Sequence, residues 1–185
     1  MASGLSMPIG FKNGTIGNTN ICVDAILSST EPHRFLGVTK QGLAGIVLTT
    51  GNPDCHVVLR GGSQTGPNFT KEHVEKVAGE LRAKNCFRRI VVDCSHGNSK
   101  KLHTNQPKVL STIASELGKG PEPALVGGVM IESNLVEGAQ KLDPGKTDPK
   151  SLIVGQSVTD ACVNMDTTAT MLREFAAAVK ARRKA

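Results

Sequence analysis

The chain has 185 residues, 38% of them hydrophobic, enough to bury about 70% of its unfolded surface in one domain, yet it is short of the ~250 residues of a complete eight-stranded α/β barrel. Tryptophan and tyrosine are absent and phenylalanine numbers only 5, which removes the stacking platforms that single-stranded nucleic acid needs. The net charge of +6 favours small anionic partners, but much of it lies in Lys180-Ala181-Arg182-Arg183-Lys184, best read as a solvated helix end helped by the macrodipole; no nucleic-acid partner is expected.

In chain order, residues 7–11 read as a strand that leads through Lys12-Asn13-Gly14-Thr15 into a helix carrying Ile21, Val23, Ala25 and Ile26. Residues 34–39 and 44–49 form a hairpin around Lys40-Gln41-Gly42, and residues 55–60 form a strand cut off by Gly61-Gly62. From 71 to 83, Val74, Val77, Ala78 and Leu81 share one helical face. A strand at 89–93 follows, then a helix marked by Val109, Ile113, Ala114 and Leu117 and stopped by Gly118-Lys119-Gly120-Pro121. A strand at 124–131, a polar loop at 145–151, an extended segment to Asp160 and a last helix with Leu172, Phe175, Ala176 and Val179 complete the chain. Strands alternating with helices imply a parallel sheet with right-handed crossovers, so the fold class is α/β.

Cys22, Cys55, Cys86, Cys94 and Cys162 are odd in number, widely spaced and form no CxxC pair, as suits reduced thiols of a cytoplasmic protein. Residues 1–5 lack the basic and long apolar regions of a secretory signal, and no apolar run approaches a membrane span, so no membrane partner is expected.

The densest chemistry follows the apolar run Val91-Val92. There Asp93-Cys94-Ser95-His96-Gly97-Asn98-Ser99-Lys100 gathers polar and metal-ligating groups at a strand end. Similar runs close on Glu132 and on Asp160. If the strands are parallel staves of one barrel, their ends present Lys12, Arg60, His96, Glu132 and Asp160 at one rim. An imidazole and two carboxylates could hold a divalent cation there, and Lys12 with Arg60 could dock a phosphate or carboxylate. Each residue also has a plainer reading. Lys12 suits a turn, Arg60 a hairpin exit, His96 a core or surface position, and Glu132 and Asp160 could cap helices. Asp54-Cys55-His56 resembles a ligand cluster, but strand alternation sends Cys55 and His56 to opposite faces. Cys94 reads as a buried thiol. Nucleotide-binding glycine patterns are absent.

The segments Gly4 through Thr15, Phe35-Leu36-Gly37-Val38-Thr39-Lys40, Gly51 through Gly62, Asp93 through Lys100, Val129 through Glu137 and Ser157 through Cys162 closely resemble the class I 3-deoxy-D-arabino-heptulosonate 7-phosphate (DAHP) synthases. The resemblance runs over essentially the whole chain. It implies part of a TIM (β/α)8 barrel, with residues 1–185 as the C-terminal portion of one barrel domain, strands 4 to 8 and their helices plus an inserted β-hairpin. The implied reaction condenses phosphoenolpyruvate with erythrose 4-phosphate and releases phosphate, the first step toward chorismate and the aromatic amino acids. By motif, Lys12 and Arg60 match phosphoenolpyruvate-binding cations, Lys12 and His96 are the catalytic candidates, and His96 and Asp160 also lie at substrate. His96, Glu132 and Asp160 match three of four metal ligands, with Mn2+, Fe2+, Co2+ or Zn2+ as the candidate cation. Ser6, Phe35 and Gly37 match positions of the feedback site for an aromatic amino acid, Gly37 favouring the tyrosine-inhibited branch. A homo-oligomer is implied for the full-length form.

The departures matter too. Family chains are roughly twice as long, and the fourth metal ligand, a cysteine, and the Lys-Pro-Arg-Thr substrate segment have no counterpart here. Ile16 stands in place of a usual aspartate, and Asn164-Met165 replaces a glycine or serine followed by tryptophan. The isolated chain is therefore expected to be poorly active. A synthase making an eight-carbon sugar acid phosphate matches less well, and a catalytically inactive half-barrel serving as a binding module is the alternative from another class.

Overall fold

The apolar, β-branched runs do become parallel strands, and each is followed by an amphipathic stretch that covers one face of the sheet. The computed structural model describes residues 1–86, 88–117 and 125–184. In chain order these form β1 (Gly10–Lys12), α1 (Asn20–Thr30), β2 (Arg34–Val38), β3 (Ala44–Leu48), β4 (His56–Leu59), α2 (Lys71–Ala83), β5 (Ile90–Asp93), α3 (Gln106–Leu117), β6 (Val126–Met130) and α4 (Met165–Arg182). Strands β1, β4, β5 and β6 lie side by side in that order and all run parallel, the arrangement of a stretch of barrel wall. Strands β2 and β3 form a separate antiparallel hairpin inserted between α1 and β4.

Alternation along the strands divides the sheet into two unlike faces. Val57, Leu59, Ile90, Val92 and Cys94 are buried against the apolar stripes of α2 (Val74, Val77, Leu81) and α3 (Val109, Leu110, Ile113). Each such side chain contributes about 1.5–3 kcal/mol when fully buried, so this face carries the stability. The opposite face holds Lys12, Val58, Val91, Asp93 and Met130. Register pairs Lys12 with Val58 and Val58 with Val91 in one row, and Asp93 with Met130 in the next row toward the strand ends. Gly10 lets β1 approach closely, because a Cβ there would lie 2.8 Å from both His56 Nε2 and Val58 Cγ2.

Two elements differ from the sequence expectation. The ladder begins at Gly10 rather than at residue 7. The extended segment ending at Asp160 is no strand: isolated bridges tie Ser157 to Ala139 and Cys162 to Gly138, and Gly155 turns the chain at φ +83°. The apolar Ile153-Val154 pair that suggested a strand belongs to this turn, with Val154 90% exposed. The proposed helix stop at 118–121 and the start of the strand at 124 lie outside the described residues. Helix α4 packs on α3 through the buried Met171, and Lys180 and Arg182 occupy its last turn.

Candidate metal centre

Strand β5 ends on Asp93, whose side chain is fully buried. Its Oδ1 accepts from the Ser95 N–H at 2.9 Å, which begins a tight turn, and His96 then takes a left-handed backbone, φ +53°. A non-glycine residue held there costs of order 1 kcal/mol, and such strain persists only where surrounding contacts enforce it. Here the Lys101 N–H donates to the His96 carbonyl at 2.8 Å. The turn aims the imidazole across the strand ends. Its Nε2 lies 3.2 Å from Glu132 Oε1 and 3.6 Å from Asp160 Oδ2, and the three donor atoms all fall within 4.8 Å of one another.

Such spacing suits one cation. Ligands about 2.0–2.2 Å from an ion sit roughly 3 to 3.5 Å apart at right-angle or tetrahedral positions, and one imidazole with two carboxylates is a common donor set for divalent transition metals. Glu132 is held firmly. The buried Gln106, first residue of α3, accepts from the Glu132 N–H at 2.9 Å and donates to its carbonyl at 3.0 Å, while Ser95 Oγ donates to Glu132 Oε2 at 3.0 Å. Asp160 is held loosely, with its side chain 67% exposed. Neither acid caps a helix, since Asn164 fills the N-cap of α4 by accepting from the Thr167 N–H.

Asp93 also joins the centre to Lys12. Lys12 Nζ donates to Asp93 Oδ2 at 2.8 Å, and His96 Nδ1 lies 2.9 Å from the same oxygen, at ion-pair distance although outside hydrogen-bond alignment. A buried carboxylate between a lysine and an imidazole offsets the cost of holding both near a cation-binding space, and orients the ring with Nε2 toward the other acids.

Arg60 follows β4 and stands in a lattice of buried amides. Its N–H donates to Asn13 Oδ1 at 2.8 Å, and its carbonyl accepts from the Asn98 N–H at 3.1 Å. Asn68 Oδ1 accepts from the Gly61 N–H at 2.7 Å, its Nδ2 donates to Asn13 Oδ1, and its own N–H donates to Asn98 Oδ1 at 2.8 Å. Asn98 Nδ2 donates to the carbonyls of Leu59 and Asp93. Gly61 is required: at φ +72°, a Cβ would lie 2.5 Å from the Gly97 carbonyl carbon. Sequence reading missed Asp93 and this asparagine lattice, because asparagines beside glycines look like ordinary turn residues.

The remaining candidates separate. Phe35 lines a 220 Å3 cavity with Ser3, Ser28, Ser29 and His33, whereas Ser6 and Gly37 do not line it. Ser6 is exposed, and Gly37 pairs with Gly45 in the hairpin. Cys55 is buried in the core while His56 faces Gly10, as alternation requires. Cys94 is fully buried, and burial, with Asp93 adding, pushes its thiol up to about 12.

Residues 1–173 match the DAHP synthetase I family. The chain belongs to that family. Within the DAHP synthetase I family it is similar to a tyrosine-inhibited phospho-2-dehydro-3-deoxyheptonate aldolase of Schizosaccharomyces pombe, 50% identical over 100% of this chain and 49% of that protein. It is also similar to the Phe-sensitive enzyme of that name from Escherichia coli K12, 45% identical over 99% of this chain and 50% of the other. The solved phospho-2-dehydro-3-deoxyheptonate aldolase of Francisella tularensis superposes with a TM-score of 0.88 at 48% identity, covering 98% of this chain and 50% of that one. The chain thus spans about half the length of these relatives. Its parallel sheet and helices are part of a TIM-barrel wall, as the resemblance implied. Among the described residues, no helix is long and apolar enough to cross a membrane.

Proposed function

We propose that this chain supplies the metal-binding and phosphoenolpyruvate-binding wall of a DAHP synthase, as the C-terminal portion of its barrel. The observation that carries the reading is the convergence of His96, Glu132 and Asp160 donor atoms within 4.8 Å, from segments 28 to 64 residues apart in sequence. The reaction joins C3 of phosphoenolpyruvate to the aldehyde carbon of erythrose 4-phosphate and, with uptake of water, releases phosphate. Held by His96, Glu132 and Asp160, a divalent cation (Mn2+, Fe2+, Co2+ or Zn2+) would supply Lewis-acid polarisation of the aldehyde. Lys12 and Arg60 bind the anionic groups of phosphoenolpyruvate, Lys12 as a compact charge and Arg60 as a fork. Asp93 keeps Lys12 and His96 in fixed positions, so the reacting carbons meet in one orientation. The name of the S. pombe relative and the cavity at Phe35 support an aromatic amino acid, tyrosine, as effector near the hairpin.

The test has two parts. Mn2+ titration of the chain followed by electron paramagnetic resonance should show binding that weakens about a hundredfold in His96→Ala. Turnover is expected to need the family's fourth metal ligand and its Lys-Pro-Arg-Thr segment, neither of which has a counterpart in this sequence, so phosphoenolpyruvate consumption should be slow for this chain and restored when it is joined to the barrel half of a relative that carries both. Equal Mn2+ affinity in parent and variant would remove the proposed centre.

A further inference from the structure

The segments that bear the metal donors share one buried side chain, Gln106 of α3, whose relative exposure is 0%. The ladder between β5 and β6 extends to Cys94, whose N–H donates to the Met130 carbonyl at 2.8 Å, and β5 then turns away at Ser95. Glu132 stands two residues past Met130, beyond the register of that ladder. A side-chain amide fills the place of a strand there: Gln106 Oε1 accepts from the Glu132 N–H at 2.9 Å, and Nε2 donates to the Glu132 carbonyl at 3.0 Å. One acceptor and one donor on a planar amide reproduce what a peptide group of an adjoining strand offers, and a buried amide so satisfied holds its partner in one position.

The same carbonyl carries a second bond. It also accepts from the Val163 N–H at 3.0 Å, and the Asn134 N–H donates to the Val163 carbonyl at 3.0 Å, so both backbone groups of Val163 are fastened to the Glu132 segment. Val163 is 2% exposed, in contrast with Asp160, three residues earlier, whose side chain is largely in solvent. Three residues of extended backbone span at most about 10 Å, so the fixed Val163 limits how far Asp160 can stray. On the other side, Gln106 ends the loop that begins at His96, and Asn105 Nδ2 closes that loop by donating to the Ser99 carbonyl at 3.0 Å. All three donor-bearing segments therefore lead to one amide.

We infer that Gln106 is a positioning residue for the two acidic metal ligands: its amide fixes the Glu132 backbone and, through the carbonyl that Gln106 and Val163 share, sets the loop that carries Asp160. What this serves, a cation held by His96, Glu132 and Asp160, rests on the synthase reading; the bonds do not. Ser95 Oγ orients the Glu132 carboxylate itself, whereas Gln106 acts on the main chain beneath both acids. Residues that hold metal ligands in this indirect way change metal affinity by about tenfold to a hundredfold when replaced.

Amide hydrogen exchange of the metal-free chain, followed by NMR, together with Mn2+ titration by electron paramagnetic resonance, tests the role. In Gln106→Met, which keeps the volume and loses both bonds, the Glu132 and Val163 N–H groups should exchange about tenfold faster or more, while the Cys94 N–H inside the ladder keeps its rate. Mn2+ affinity should fall about tenfold in the parent background and about threefold or less in Asp160→Asn, because part of the effect of Gln106 passes through the ligand already removed. A merely structural glutamine would give the same loss in both backgrounds. Where Gln106→Met fails to fold, Gln106→Asn, an amide one methylene too short to reach Glu132, takes its place with the same expectations. Unchanged Val163 exchange, equal Mn2+ losses in the two backgrounds, or a rise in exchange shared by the Cys94 N–H overturns the proposal. If the parent binds no Mn2+, the synthase reading fails by itself, and the exchange rates still decide whether Gln106 holds the loop.

Discussion

The two ends of the metal centre are built differently. His96 and Arg60 stand on turns locked by Asn13, Asn68 and Asn98, three buried side chains that bond to backbone groups of β4, β5 and the loops after them. Asp160 stands on a loop whose bridges are isolated and whose side chain is mostly in solvent. Buried amide networks fix position because every broken bond leaves an unsatisfied group, whereas an exposed loop exchanges its bonds with water at little cost. The contrast teaches that His96 and Glu132 are set before any ion arrives, and that Asp160 is the donor free to adjust.

The largest effect should come from breaking the locked side. Asn98→Leu removes the bonds donated to the Leu59 and Asp93 carbonyls and takes from the Asn68 N–H the side-chain oxygen it donates to, and should lower the unfolding free energy by about 3 kcal/mol in urea denaturation. A change under about 0.5 kcal/mol would mean that the lattice does not lock the rim. On the loose side, Asp160→Asn should weaken Mn2+ about tenfold, less than the hundredfold expected for His96→Ala, while stability stays within about 0.5 kcal/mol. Equal losses from the two variants would erase the distinction between fixed and adjustable donors.

The smallest effect concerns pH. Burial raises the thiols of Cys22 to about 11 and Cys94 to about 12, from an ordinary value of 9.0. Between 9 and those values the unfolded chain releases protons that the folded chain retains. Stability from these thiols is therefore full below pH 9 and declines as pH rises toward 11 and 12. Urea midpoints at pH 8, 9.5 and 10.5 should fall in that order. The decline should match between parent and Asp160→Asn, because neither thiol lies in the exposed loop.

Periodicity made much of this fold legible. Val74, Val77, Ala78 and Leu81 marked a helix whose observed bounds, Lys71–Ala83, coincide with the expectation, since an amphipathic stripe is a local property. The hairpin of β2 and β3 was legible from another local signal, two short extended runs separated by Lys40-Gln41-Gly42. The segment before Asp160 was not. A short apolar pair looks alike in a strand and in a turn, and Gly155 decided for the turn. His96, Glu132 and Asp160 could be named from strand ends and family motifs, but Asp93 gave no sign of its contacts with Lys12, 81 residues away, and His96.

What the order of residues determined by itself is therefore local: which stretches coil, which extend, and which polar groups stand at the ends of apolar runs. Tertiary structure alone decided that a carboxylate lies buried between Lys12 and His96, that three asparagines share one lattice, and that Arg60, Lys100 and Lys101 face a single space. The physical reason is range. Backbone preference and hydrophobic period act over a few neighbours, whereas charge pairing and buried hydrogen bonds act through space, between residues that meet only after the parallel strands have aligned.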